Sequence, residues 1–525
     1  MLACGGACQD LANDPTNCGS CGVVCENMES CIAGRCLSAA VLREASWIGA
    51  AEQVSGGNPE ATCRVDGELA PQKSLTAPHA ITMFAGYARV SNDNSAFTYA
   101  IPLTPWSGVV GGGILAPLGW TKAGDNWTTS SPNNGYEYLT SMLMNTTAGT
   151  PYVGIAASLG GDIASSVWTN NFTPVEPSVD HKVDGPTACF DQGGTDLWIA
   201  AVDGHSNAVD PQPGVDAYLF RNCTGVPNSA GCLLTKRKRV YGTYDGHATV
   251  TVQPSTHSAI IGHREGGSIW LHIMEHDFPY TVHQHPVTTL SEPTTATTAC
   301  TDAGCFAGGT VPQCGGTCGA ACGGTVPSPT NGCMRTVRRV NVSAKCDTST
   351  GRCYAYVAFD QACGPESDGG LHVKARLTIV DVTDEAHPFN VASWISSACG
   401  SSTNNDFYSN VVADYYTHNV GWFWYRQTGG DGCNTDYRGA TDTSLGLTTM
   451  AGTGRISLSA FKTVLFRGWR GLGDYTAIEP HGLGGGFIFP TWAQSVQLTG
   501  NSPPNCSPCQ SKQYSDAVFG ALVIP

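Results

Sequence analysis

An all-β fold, and within that class a β-propeller, is what this sequence predicts. Three observations carry the prediction. Strand–turn–strand units recur along the chain at a coarse period. The second strand of each unit is nearly unbroken in apolar residues, as expected of a strand covered on both faces. Long stretches with a 3.6-residue apolar period are missing, while glycine (64) and proline (30) are abundant and only 13% of residues are charged. Radial repetition leaves only short strand edges exposed, which an open sandwich of this size would have to protect in some other way.

The clearest unit is Gly473–Gln494, GDYTAIEPHGLGGGFIFPTWAQ. Asp474–Glu479 reads as a strand, Pro480–Gly485 as a turn, and Phe487–Trp492 as a buried strand. Phe407–Arg426 repeats the pattern around Thr417–Asn419. Five further hairpins precede these two. Ile81–Val90 faces Ala96–Leu103, Tyr138–Asn145 faces Pro151–Ser158, and Leu197–Asp203 faces Asp216–Arg221 across a longer loop. Ala248–Arg264 turns into Ser268–His276, and Val340–Cys346 turns into Cys353–Phe359. Seven hairpins predict seven blades, with six as the fallback if one hairpin is an excursion. Closure is expected to bring Ala517–Ile524 beside the Trp47 region.

Residues 1–38 read as a separate disulfide module, 39–525 as the propeller, and 290–335 as a Cys-rich insertion within it. Cysteines 4, 8, 18, 21, 25, 31 and 36 crowd a segment too short for a hydrophobic core. Their CGSC spacing would also suit zinc or redox chemistry, but dense cysteines without histidine favour disulfides. The odd number points to a partner outside the module, and Cys63 is the candidate. Cysteines 300, 305, 314, 318, 322 and 333 are even in number and read as an internally stapled loop. Cys346 with Cys353 and Cys506 with Cys509 read as local bridges.

Twenty-four cysteines point to export, at the cell surface or in a secreted form. Met1–Cys4 is too short to be a signal peptide, so a mature chain or a late start is expected. Cys4 reads either as a lipid-anchored residue or as the first disulfide cysteine. No apolar run reaches the roughly 18 residues of a membrane span. A formal net charge of -15 argues against nucleic acid as a partner. The one basic run, Lys236–Arg239, reads as a solvated strand end.

Histidine is concentrated between 247 and 285. Strand alternation puts His272, Met274 and His276 on one face, and His283 with His285 on another. Imidazole with thioether would suit copper, and imidazole with Glu275 or Asp277 would suit zinc. His272, His276, His283 and His285 are therefore metal-ligand candidates, with His263 as a further contributor, against the plainer reading of a polar strand face. No cofactor is expected beyond such an ion.

The hairpins DYYTHNVGWFWYR, GDYTAIEPHGLGGGFIFPTWAQ and DLWIAAVD resemble the paired strands of the sialidase-like propeller superfamily. That family's Asp-box turn, Ser/Thr-x-Asp-x-Gly-x-Thr-Trp/Phe, is present only in altered form. Thr243–Val250 has His247 in place of the glycine, and Ser91–Thr98 has Ser95 there. Gly124–Trp127 keeps the Gly and Trp. The N-terminal motif NDPTNCGSCGVVC resembles a Cys-rich repeat of exported myxobacterial proteins. The first resemblance implies an arginine clamp, a tyrosine nucleophile with a glutamate partner, and an aspartic acid. Arg264 with Glu265, Tyr425 with Arg426, and Arg467 with Arg470 are the pieces available; the family's early Arg-Ile-Pro signature is not found. Two functions follow: a surface that binds a glycan or a cell-surface protein, or a glycan-active enzyme, hydrolase or lyase, working at the propeller mouth.

Overall fold

A computed structural model describes residues 117–130, 136–159, 172–178, 181–191, 196–204, 212–224, 231–242, 247–265, 268–289, 340–363, 372–399, 404–414, 417–427, 435–442 and 444–447, with residues 17 and 20–22 and the further strands named below. The described residues contain strands and turns and no helix. None of them forms a helix long and apolar enough to cross a membrane.

The chain begins with two hairpins, β1 (Leu2–Cys4) with β2 (Ala7–Gln9) and β3 (Glu29–Ile32) with β4 (Arg35–Ser38). A first unit follows, with β5 (Asp66–Glu68), β6 (Gln72–Ala77), β7 (Ala80–Phe84), β8 (Tyr87–Arg89), β9 (Phe97–Ala100) and β10 (Val110–Gly113). Five four-stranded antiparallel meanders account for most of the rest. Blade 2 is β11 (Trp120–Ser130), β12 (Tyr136–Asn145), β13 (Pro151–Leu159) and β14 (Thr173–Pro174). Blade 3 is β15 (Val183–Phe190), β16 (Leu197–Asp203), β17 (Gly214–Arg221) and β18 (Leu233–Tyr241). Blade 4 is β19 (Thr249–Val252), β20 (Ala259–Glu265), β21 (Ser268–Met274) and β22 (Val282–Thr289). A side hairpin, β23 (Thr310–Pro312) with β24 (Cys333–Arg335), lies within the inserted segment. Blade 5 is β25 (Asn341–Asp347), β26 (Arg352–Cys363), β27 (His372–Asp381) and β28 (Phe389–Ile395). Blade 6 is β29 (Asn405–Ala413), β30 (Val420–Gln427), β31 (Thr435–Asp442) and β32 (Ile456–Ser457). Blade 7 is β33 (Ile478–Pro480), β34 (Phe487–Gln497), β35 (Gln513–Phe519) and β36 (Leu522–Val523), the last two both pairing with β34.

The leading strands close a ring. β6 lies against β11, which lies against β15, then β19, β25, β29 and β33, and β33 returns to β6. Among the described residues, seven units in a closed ring make a seven-bladed propeller. Hydroxyl side chains tie neighbouring leading strands together. Thr129 Oγ1 accepts the Phe190 N–H (3.2 Å), and Thr187 Oγ1 accepts the Val250 N–H (3.2 Å). Thr249 donates to Val340 O, and Ser343 Oγ accepts the Ala413 N–H (3.0 Å). Backbone groups that no ladder satisfies are thereby paired across the blade seams.

In blades 3 and 6 the second strand is buried on both faces, which explains its unbroken apolar run. Every residue of Leu197–Asp203 and of Val420–Gln427 is buried. Trp127, Tyr138, Ile155, Phe190 and Tyr218 pack between blades 2 and 3, and Trp198, Leu219, Ile261 and Met274 between blades 3 and 4. Tyr356, Leu377, Trp422 and Trp424 fill the seam between blades 5 and 6. Blades 4 and 5 approach closely at Gly262, where a Cβ would stand 2.4 Å from Val342 Cγ1. Gly262→Ala is expected to wedge this seam and cost about 1–3 kcal/mol, read as a lowered thermal midpoint; an unchanged midpoint would show that the seam has slack.

The expected hairpins occur with local corrections. Leu197–Asp203 pairs over its whole length with Gly214–Phe220, despite the long loop. Ala248–Arg264 is two strands, because Gln253–Ser258 turns the chain at Pro254, and the Gln253 N–H donates to Ser258 O (2.9 Å). Ile81–Val90 does not face Ala96–Leu103: β7 pairs with β6, β8 with β5, and β9 with β10. Ala517–Phe519 and Leu522–Val523 pair with β34 of their own blade. A short connection favours the antiparallel neighbour over a distant partner, and ring closure falls to β33 against β6. Trp47 and Cys63 lie outside the described residues.

Cys346 and Cys353, directly opposed on β25 and β26, form the expected bridge, with Cα atoms 3.9 Å apart. Cys223–Cys232 and Cys363–Cys399 are two further disulfides. The Cys506–Cys509 pair lies outside the described residues.

Candidate active site

In each blade the second strand runs antiparallel to the first, so its C-terminal end lies level with the first strand's beginning. Thr249 faces Gly262, Asn341 faces Ala358, and Asn405 faces Gln427. Arg264, Glu265, Tyr425 and Arg426 therefore sit at one common end of the propeller. Arg467 and Arg470 lie outside the described residues.

At that end blades 4, 5 and 6 meet on one carboxyl group, that of Asp360 near the end of β26. Its two oxygens accept the backbone N–H groups of Tyr408 (2.7 Å) and Ser409 (3.0 Å) on β29. Those N–H groups are available because β29 bulges between Phe407 and Asn410 and Tyr408 adopts a left-handed φ of 55°. Such a conformation in a bulky residue is costly and collects at functional sites. Burial pushes Asp360 up to about 7, against the pull of the two N–H donors and of the Arg264 guanidinium; Asp406 adds a smaller upward push.

Asp406 and Arg426, opposed on β29 and β30, form a bidentate pair (Nε–Oδ1 2.6 Å, Nη2–Oδ2 2.7 Å). Ser396 and Ser397 also donate to Asp406 Oδ2, at 2.6 and 2.9 Å. Tyr425 is fully buried, with its ring stacked on Phe407 at 5.6 Å. The structure thus brings Arg264 and Arg426 to one end of the propeller, but places the Tyr425 ring in the core. Asp360 and Asp406 are the residues that sequence reasoning missed. The available signal was an isolated carboxyl inside an apolar strand, YAYVAFDQ.

The metal-ligand candidates separate. His272 is buried and stacks on His263, with ring centroids 4.5 Å apart. His276 Nε2 is 2.7 Å from Asp196 Oδ2, His283 Nε2 is 3.0 Å from Glu275 Oε1, and His285 Nε2 is 3.0 Å from Asn390 Oδ1. The register explains this. His276 falls beyond the end of β21, and His283 and His285 belong to the outermost strand β22.

A different group, His181, Asp203 and Asp216, has ligand atoms within 4.8 Å of one another. The guanidinium of Arg239 already stands where a cation would. It donates to both Asp203 and Asp216, with Nε–Oδ1 at 2.8 Å and Nη2–Oδ2 at 2.7 Å to Asp216. His181 Nδ1 lies 2.8 Å from Asp203 Oδ2, and Arg237 bridges Asp216 (3.2 Å) and Glu176 (3.0 Å). Burial raises Asp216 above its usual range against the lowering by Arg239. The Lys236–Arg239 run is therefore not a solvated strand end. Alternation along β18 turns Arg237 and Arg239 into this ion network, while Lys236 Nζ lies 5.9 Å from the Tyr280 ring centroid.

No family model matches this sequence, and no curated protein matches it. Among solved structures it is similar to an α-L-arabinanase of Penicillium chrysogenum complexed with arabinobiose. That match has 9% identity and a TM-score of 0.38, covering 87% of this chain and 93% of the other. It is also similar to an endo-arabinase from Bacteroides thetaiotaomicron, at 10% identity and a TM-score of 0.32, covering 78% and 98%. Likeness at that level carries no argument, and the fold rests on the sheets and their ring.

Proposed function

We propose that this protein is an exported glycan-active hydrolase working at the end of blades 4–6, with Asp360 as proton donor. One observation carries the reading: the buried Asp360 carboxyl stands where three blades meet, held by the Tyr408 and Ser409 N–H groups with the Arg264 guanidinium nearby. A carboxyl raised to about 7 can be protonated at working pH and still give up its proton. The resemblance of the hairpins to sialidase-like propellers supports a glycan as the substrate class. The buried Tyr425 ring argues for a hydrolase without a tyrosine nucleophile. The disulfides support export, and the N-terminal segment 1–38 is read as a separate disulfide module.

A second reading, a surface that binds a glycan or protein without cleaving it, is favoured by the Asp406–Arg426 pair, whose groups satisfy one another. One experiment separates the two. The protein and Asp360→Asn are incubated with a panel of aryl glycosides and polysaccharides, and released sugar and retained binding are both measured. Hydrolysis by the wild type, reduced about 10²–10⁴-fold in Asp360→Asn with binding preserved, is the expected result. Binding without release in the wild type leaves the second reading. Neither binding nor release removes both.

A further inference from the structure

The stacked pair His263 and His272 has an unusual place. Both rings lie on the face of blade 4 that packs against blade 3, on adjacent strands β20 and β21, and both residues are buried. His263 Nδ1 and both ring nitrogens of His272 are buried without a hydrogen-bond partner. Each such atom normally carries a desolvation cost, so three together call for a compensating partner. Trp270 extends the stack, its ring 6.5 Å from His272. Glu265, two residues beyond His263 on the same strand face, brings Oε2 to 3.8 Å from His263 Nε2. Its carboxylate packs on Gly242, where a Cβ would stand 2.8 Å from Oε1.

We propose that His263, His272 and Glu265 form a transition-metal site at the seam of blades 3 and 4. Two imidazoles and a carboxylate are a donor set for zinc or a similar divalent ion. The 3.8 Å separation is long for a hydrogen bond. It is close to the about 3.3 Å between neighbouring ligands of a tetrahedral ion with bonds of about 2.0–2.1 Å. The rings are in the state that ligation needs. Burial pushes His263 down to about 4 and His272 to about 3, so both are neutral near pH 7. The His272 ring must turn about its broad χ2 torsion to aim a nitrogen at the same point as His263. Glu265 is only part-buried, at 31% side-chain exposure, and gives the ion a route in. The His181–Asp203–Asp216 group has better-converged ligand atoms but already holds the Arg239 guanidinium.

The test uses the full-length protein, stripped with a chelator and titrated with Co(II), followed by visible absorption, and with Zn(II), followed by calorimetry. A single equivalent of each, with tetrahedral Co(II) absorption, is expected for the wild type. His272→Phe, which keeps the ring stack, should abolish that equivalent. Glu265→Gln, a change at a partly exposed side chain, should weaken Zn(II) binding by about tenfold or more. His276→Ala, outside the proposed site, should bind as the wild type does. No stoichiometric binding by the wild type overturns the proposal. So does equal binding by the wild type and Glu265→Gln, which stands as the deciding variant even if His272→Phe fails to fold.

Discussion

Arg239→Met is expected to destabilise the protein by about 3–5 kcal/mol. Arg239 bonds both Asp203 and Asp216, and all three side chains are buried. Methionine fills similar volume but leaves two carboxylates in a low-dielectric seam without their shared cation. The destabilisation comes from those uncompensated charges more than from the lost bonds themselves. Arg237→Met should cost less, because Arg237 is more exposed and bonds Asp216 through one nitrogen. Adding Asp216→Asn to Arg239→Met should recover part of the loss, since it removes one stranded charge. Chemical unfolding of the three variants checks this. A wild-type midpoint for Arg239→Met would mean that water reaches the network.

Asp360→Asn should change how stability depends on pH. The carboxyl's usual value of 3.8 is raised to about 7 by burial, so the fold favours the protonated form. The stability it contributes is complete below about 3.8 and is lost as pH rises through about 7. The size is on the order of 4 kcal/mol, since each tenfold change in proton affinity is worth about 1.36 kcal/mol. Asparagine cannot ionise and still offers an oxygen to one of the two N–H donors on β29. Unfolding free energies of wild type and variant, measured at pH 4, 6 and 8, should therefore converge or cross as pH rises, by an amount of that order. Parallel curves would show that Asp360 is ionised throughout and acts only as an acceptor for the bulge.

The candidate site was legible in part. Arg264 and Arg426 could be picked out as arginines near the ends of apolar strands, and the common direction of those strands in every blade is a consequence of the meander. Asp360 could not be assigned, because a strand residue's partners lie on the next blade. The N–H groups of Tyr408 and Ser409 are 48 and 49 residues away in sequence, and they become available only through a bulge. The histidine candidates separate for the same reason. Alternation places His272 and His276 on one face of an idealised strand, but β21 stops at Met274, so His276 turns to Asp196.

What local sequence determined is the set of strands and turns. Alternation, unbroken apolar runs, Gly and Pro punctuation and the Cys346–Cys353 spacing are short-range properties, and they specify hairpins because those hairpins pair within themselves. The number of repeats then limits the ring to about seven blades. Only the tertiary structure decided which strand closes the ring, where Lys236–Arg239 points, and which carboxyl is raised toward neutrality. Each of these depends on the seam between blades, where burial removes water and the partner comes from a distant part of the chain. A raised carboxyl, an ion network or a metal-ligand set is a property of that seam, and one strand's residues do not contain it.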